Sequence, residues 1–364
     1  DSEDGEVPED VEPMPQPQPE EPEAEPTDEP VTLPELDLTD LAEYTNQGVT
    51  FQAPADWVVD LEMGDSTPFF IEVPGTNLLI TMESDSGLDF PSWLALALLR
   101  SQPELLLADA GENAQLEESA TLYNPQNLPI AKLEFSGAED DVLTTGAFFA
   151  VAPNENAYIM IGGGSAAEWE DAKPGIELLV ESITFDEELI TAVLAEDGPL
   201  VFSDEEGTVE ATVPAGWYAM ATGDVQFPII AAEPEVRYVA AIGTGEVFGG
   251  EFDPAILEEF IPAEGVLDPE VEQDLFETII DMVSNSDSPI EVDEELSALQ
   301  SREGAVTVRL VGEAELDSEL SMPVVFYIDL RTTGVGVVAI FGDTESAFAV
   351  EEEIQTLLES VTGL

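Results

Sequence analysis

Pro54-Ala55-Asp56-Trp57 and Pro214-Ala215-Gly216-Trp217 stand 160 positions apart, and they constrain the fold more than any other feature of the chain. Each follows a glycine-led run of alternating apolar residues, Gly48 to Ala53 and Gly207 to Val213. Alternation with a period of two marks a half-buried strand, and proline ends it at a corner with a tryptophan behind. A second echo lies at the far end of each unit, Leu178-Leu179-Val180-Glu181-Ser182-Ile183-Thr184 against Leu357-Leu358-Glu359-Ser360-Val361-Thr362. Two echoes in the same order predict an internal duplication. Pro54, Trp57, Pro214 and Trp217 are therefore read as structural residues, with the tryptophans in the cores.

The first unit, 39–190, reads as mixed α and β. Phe69 to Val73 and Asn77 to Met82 flank Pro74-Gly75, which is strong turn chemistry, so a hairpin is expected. Pro91 to Leu107 carries leucines at helical spacing and is expected to break at Pro103. Four β-like runs follow: Glu117 to Tyr123, Ile130 to Phe135, Thr144 to Ala152 and Ala157 to Ile161. Gly162-Gly163-Gly164-Ser165 then leads into a helical pattern over Ala166 to Glu181, expected to break or kink at Pro174-Gly175. The glycine triplet meets neither Walker nor dinucleotide spacing and has acidic neighbours; Ser165 with Glu168 three positions on reads as a capping box instead.

The second unit, 201–364, repeats the order. Strands are expected at Val209 to Val213, Trp217 to Met220, Pro228 to Ala231 and Val236 to Ile242. A longer helical middle follows, Asp253 to Phe260 and Pro269 to Val283, the latter with Val271, Leu275, Phe276, Ile279, Ile280 and Val283 along one face. Strands are then expected at Glu295 to Gln300, Ala305 to Val311, Pro323 to Leu330 and Val335 to Phe341, and a helix at Thr344 to Leu358.

Charge bounds the partners. The chain has 81 Asp and Glu, seven Lys and Arg, no His and no Cys, for a formal net charge of −74. Nucleic acid requires basic clusters to displace counterions, and none exists. Anionic membranes are disfavoured for the same reason. Without His and Cys, the common triads, thiolate zinc sites and disulfides cannot be built. No apolar run reaches the roughly 20 residues of a bilayer span. Hydrophobic residues make up 44% of the chain and fall in periodic runs, so folded cores under an acidic surface are expected rather than a disordered polymer. Such a surface attracts cations. Hard oxygen ligands suit Ca2+ or another divalent ion, and Glu83, Asp85 and Asp89 alternate around Gly87, making them the candidate metal ligands beside the plainer reading of a solvated acidic loop.

Residues 1–38 are nearly all Glu, Asp, Pro and Gln, which predicts a stiff, extended arm: either a solvated stalk or a segment that orders against a partner protein or a neighbouring copy. Tails of this kind commonly follow the lipid-modified cysteine of exported bacterial lipoproteins, and the chain reads as exported, its signal segment removed, at the cell surface or outside it.

A unit that opens on a glycine-led strand and a Pro-x-x-Trp corner, carries a helical insertion among its strands, and ends in a helix leading to a Ser-Ile/Val strand resembles the PsbP-like α-β-α sandwich superfamily. That group includes the extrinsic PsbP protein of photosystem II and many exported bacterial lipoproteins. The resemblance implies an α+β fold of two tandem α-β-α sandwich domains, each a mainly antiparallel sheet flanked by helices, preceded by the extended Pro/Glu-rich arm. It also implies non-enzymatic binding or assembly without a catalytic residue or resident cofactor. The alternatives are a structural subunit of an extracellular filament or surface layer, joined through the arm, and a carboxylate-based hydrolase.

Overall fold

The computed structural model describes residues 37–85, 92–101, 113–139, 142–154, 156–248, 261, 266–284, 290–315 and 321–363. They belong to one compact unit that begins at Glu35. In chain order, the first copy comprises β1 (Leu41–Asn46), β2 (Val49–Pro54), β3 (Val58–Asp60), β4 (Phe69–Glu72), β5 (Leu79–Asp85), α1 (Ser92–Ser101), β6 (Gln115–Tyr123), β7 (Pro129–Glu139), β8 (Val142–Val151), β9 (Ala157–Ser165), α2 (Ala166–Ser182) and β10 (Thr184–Phe185). A short strand, β11 (Val193–Leu194), follows. The second copy comprises β12 (Leu200–Ser203), β13 (Val209–Val213), β14 (Tyr218–Ala221), β15 (Ile229–Ala232), β16 (Tyr238–Thr244), α3 (Pro269–Ser284), β17 (Ile290–Arg302), β18 (Ala305–Glu315), β19 (Ser321–Arg331), β20 (Gly334–Gly342), α4 (Thr344–Phe348), α5 (Glu351–Ser360) and β21 (Thr362–Gly363).

The structure is mostly antiparallel β with few helices, arranged in several sheets. One large sheet has the order β3-β4-β5-β9-β8-β7-β6 and the other β11-β14-β15-β16-β20-β19-β18-β17. Apart from β11, the second order repeats the first strand for strand. The small sheets, β1-β2-β10 and β12-β13-β21, repeat in the same way.

Both sequence echoes have a physical role. At the corners, Trp57 N–H donates to the Pro54 carbonyl at 3.0 Å and Trp217 N–H to that of Pro214 at 3.2 Å, and each tryptophan is buried. At the other end, the Ser182 hydroxyl accepts from Gln52 N at 2.8 Å and donates to the Leu179 carbonyl at 2.7 Å. Ser360 does the same with Thr212 N at 2.7 Å and Leu357 O at 2.6 Å. One hydroxyl thus ends a helix and fastens it to the corner strand, satisfying a carbonyl and an amide left without ladder partners.

In the first copy, β2, α2 and one face of the large sheet enclose Phe51, Phe69, Ile80, Phe149, Met160, Trp169 and Ile176. In the second, β13, α5 and the matching face enclose Ala211, Trp217, Tyr238, Tyr327, Ile340 and Leu357. The opposite faces meet in a third core around α1. Trp93, Leu96 and Ala97 pack there with Ala131, Ala150 and Ala152 of the first copy, and with Tyr218, Val239 and Phe341 of the second.

Several expectations shift. Helix α2 runs unbroken through Pro174, and Ser165 with Glu168 forms the capping box. The C-terminal helix is divided at Ala349-Val350. Strand β17 is longer than expected, and its register shifts between Asp293 and Ala298. Strand β16 begins at Tyr238 because Val236 takes a left-handed turn conformation, φ 51°. Strands β1, β3, β11 and β12 were not foreseen. The helix expected at Asp253 to Phe260, the break at Pro103 and the arm up to residue 36 lie outside the described residues.

Candidate functional site

Cations are scarce in this chain, and all seven are engaged within the described residues. Lys132 Nζ, buried on β7, lies 2.7 Å from Glu118, 3.2 Å from Glu134 and 3.3 Å from Glu177 of α2. Lys173 of α2 reaches the same Glu134 at 2.8 Å, and Trp169 Nε1 donates to it at 3.3 Å. Burial pulls the Glu134 carboxyl up, but donation from Lys173, Lys132 and Trp169 outweighs it and holds the group below the usual carboxylate range.

The second copy places its ionic cluster on the corresponding inner face with the polarity reversed. Asp329 of β19 is fully buried, 3.3 Å from Arg302 and 3.1 Å from Arg331, and accepts from Thr307 Oγ1 at 3.1 Å. Arg331 also donates to the Glu359 and Val361 carbonyls at 3.0 and 2.7 Å, tying down the end of α5. Arg309 pairs with Glu351 at 3.0 Å, and Arg237 with Glu233 at 3.3 Å. Here burial wins: it pushes the Asp329 carboxyl up despite Arg331 and Arg302.

The two buried carboxylates therefore respond to acid with opposite signs. Glu134, with a lowered folded-state pKa, contributes stability that is present above the unfolded value near ~4.3 and is lost as pH falls through the folded value. Asp329, with a raised one, opposes folding when ionised and ceases to do so as it protonates. Asp329→Asn is thus expected to match or exceed the parent at neutral pH, the difference closing below the unfolded aspartate value near ~3.9. Denaturant midpoints measured across that pH range check this; a large loss at neutral pH would show that the ionised carboxylate is needed.

The copies are joined by hydrogen bonds beside α1. Arg100 donates to Thr121 Oγ1 and to the Glu235 carbonyl. Tyr123 OH donates to the Pro234 carbonyl at 3.0 Å, and Tyr218 OH donates to the Asn127 carbonyl. Burial pushes the Tyr218 phenol up to about 12, so it remains a donor at neutral pH.

An acidic groove of about 450 Å3 in the second copy is lined by Asp204, Glu205, Glu206, Thr208, Thr222 and Asp224, among others. Its polar groups are held by local turns. Asp204 accepts from Val209 N at 2.7 Å and Thr208 Oγ1 at 2.8 Å, Thr222 donates to the Phe227 carbonyl at 2.6 Å, and Asp224 accepts from Gln226 N at 2.6 Å.

The residues singled out for a cation fall differently. Glu83 and Asp85 lie in β5, paired with Ile159 and Ala157, so this run is strand and not the loop that was expected. Ser84 Oγ instead donates to the Ser66 carbonyl at 3.3 Å. Asp89 lies outside the described residues. Among the described residues no group of three or more acidic side chains is placed to share a metal, and no helix is long and apolar enough to cross a membrane. What sequence reading missed is the destination of α1: Trp93, Leu96, Ala97 and Arg100 share one helical face, a visible signal, but spacing does not say whose sheet receives it.

No protein-family profile and no curated protein sequence matches the chain. Distant structural similarity covers parts of it. Cyanobacterial PsbP (CyanoP) from Synechocystis sp. PCC 6803 matches at 10% identity, covering 42% of this chain and 97% of that one, with a TM-score of 0.30. LpqN, described as involved in cell envelope biogenesis of Mycobacterium tuberculosis, matches at 14% identity, covering 40% and 91%, with a TM-score of 0.30. A chain from Bacteroides thetaiotaomicron VPI-5482 matches at 11% identity, covering 77% and 87%, with a TM-score of 0.27.

Proposed function

We propose that this chain is a non-enzymatic, exported binding or scaffold protein, with two PsbP-like α-β-α sandwich domains at 39–190 and 201–364 carried on the acidic arm at 1–38. The observation that carries this reading is the disposition of charge. All seven basic side chains are engaged by carboxylates, hydroxyls or carbonyls of the chain itself. What the exterior offers a partner is therefore carboxylate. A surface of this kind attracts cationic proteins and metal cations and repels nucleic acid and anionic lipid.

The test presents the immobilised full chain with an oligolysine peptide, anionic vesicles and a neutral polysaccharide over a range of NaCl. Selective capture of the cationic probe, weakening as salt rises, supports the reading. Turnover of an ester, glycoside or peptide substrate that is abolished by a single carboxylate substitution would overturn it. Regular arrays of the purified chain in electron micrographs would replace it with the filament-subunit reading.

A further inference from the structure

The duplication sets an exposed row of the first sheet against a buried one of the second, among the described residues. On the second sheet, Tyr218, Ala232, Val239 and Phe341 are cross-strand neighbours in one row, and Ala339 lies beside Phe341 on the same face. This is where α1 seats: the Trp93 ring meets Tyr218 edge-on at 5.9 Å, and Trp93, Leu96 and Ala97 share a core with Val239 and Phe341. The corresponding row of the first sheet is Val58, Glu72, Leu79 and Gly163, again direct cross-strand partners, with Ile161 in the place of Ala339. The match is fixed independently by the Trp57 and Trp217 corners and by the helix caps at Ser165 and Asp343.

The two rows differ in cover. Tyr218, Val239, Phe341 and Ala339 are 4, 0, 7 and 0% exposed, whereas Val58, Leu79 and Ile161 are 56, 47 and 39% exposed. Gly163 has no side chain, and a Cβ built there meets only the backbone of Thr145 and Gly146, at 3.5 Å or more. The row therefore keeps a shallow trough between Leu79 and the neighbouring strand. The first copy lends its helix to the second, and no described helix covers the matching place on the first. One exchange adds chemistry: exposed Glu72 stands where the second copy has buried Ala232.

We infer that the Val58, Leu79 and Ile161 face of the first sheet is a docking seat for a short helix of a partner protein, with an aromatic anchor and a basic residue about two turns on. The internal copy shows that this face of the fold accepts an apolar helix, α1, whose Arg100 lies seven residues after Trp93 and bonds at the acidic rim of its seat, at the Glu235 carbonyl. Charge complementarity selects the basic residue, because Glu72 is an exposed carboxylate within the apolar row and the chain as a whole carries a formal net charge of −74. The match is helix-in-groove recognition through residues at helical spacing.

The probe is a fluorescent peptide carrying Ser92 to Ser101 with lysines appended for solubility, titrated into the full chain and read by anisotropy. Saturable binding is expected, weakened by about tenfold or more by Leu79→Asp or Ile161→Asp and left unchanged by Val201→Asp, an exposed valine on β12. Glu72→Gln should weaken it less and reduce its salt dependence. Because Leu79 and Ile161 are substantially exposed, these variants should keep the parent's far-UV spectrum and melting midpoint, which are checked alongside. Binding that ignores Leu79→Asp, or equals that of a scrambled peptide of the same charge, would overturn the inference while leaving salt-dependent capture of cations untouched. Self-association of the chain abolished by Leu79→Asp would overturn it in favour of a second copy as occupant.

Discussion

Trp93→Ala is expected to destabilise both copies together, by about 3–5 kcal/mol, with loss of native signal in a single transition. Trp93 is fully buried and its indole N–H donates to the Ala152 carbonyl at 3.0 Å. Truncation removes the ring that fills the space between the sheets and leaves that carbonyl without its donor, so cavity and hydrogen-bond costs add. Because the ring belongs to the first copy by sequence and to the second copy's core by contact, neither can lose it alone. Urea unfolding followed by far-UV circular dichroism, with hydrogen exchange on β8 and β16, reads both copies. Two separated transitions, or exchange confined to one copy, would show that α1 does not couple them.

Lys132→Met is expected to cost about 3–5 kcal/mol at neutral pH, because it removes the shared cation and leaves Glu118, Glu134 and Glu177 facing one another with Lys173 alone to offset them. Burial lowers the ammonium's affinity for its proton, but hydrogen bonds to Glu118 and Glu134 outweigh it, so the Lys132 pKa is raised. A raised pKa contributes stability in full below the unfolded lysine value near ~10.4 and loses it as pH rises through the folded value. Glu134 sets the acid limit described above. The cluster therefore holds across the neutral range and fails at both ends. In the variant, the deficit should shrink as the pH falls and the carboxylates protonate. The double substitution Lys132→Met with Glu134→Leu should recover much of the loss, since replacing a buried pair by apolar groups is often neutral. A single variant as stable as the parent at neutral pH would show that water already screens the cluster.

The architecture was legible where a local rule acts on adjacent residues. The two Pro-x-x-Trp corners and the capping box at Ser165 depend on hydrogen bonds made within a turn or at a helix end, as do the bonds by which Ser182 and Ser360 donate to the Leu179 and Leu357 carbonyls. Glu83 to Asp85 was expected in an acidic loop and lies in a strand, because alternating acidic residues look alike in a loop and on a strand; only the pairing of β5 with β9 separates the two. Of the break or kink expected in α2 at Pro174, the break does not occur, because the packing of Trp169, Ile176 and Leu179 on either side of the proline holds the helix together.

By itself the sequence determined that this protein has repeated, β-rich units with cores that need no disulfide, in a chain whose formal net charge is −74. Periodicity, corner chemistry and charge are properties of residues near one another in the chain, so they survive without a structure. Tertiary structure alone decided where the scarce cations go and which sheet α1 covers. Those outcomes depend on contacts between residues such as Lys132 and Glu177, or Trp93 and Tyr218, whose separation along the chain leaves no periodic trace. The same contacts make equivalent places in the two copies unequal, closing one face over Val239 and leaving its counterpart at Leu79 open.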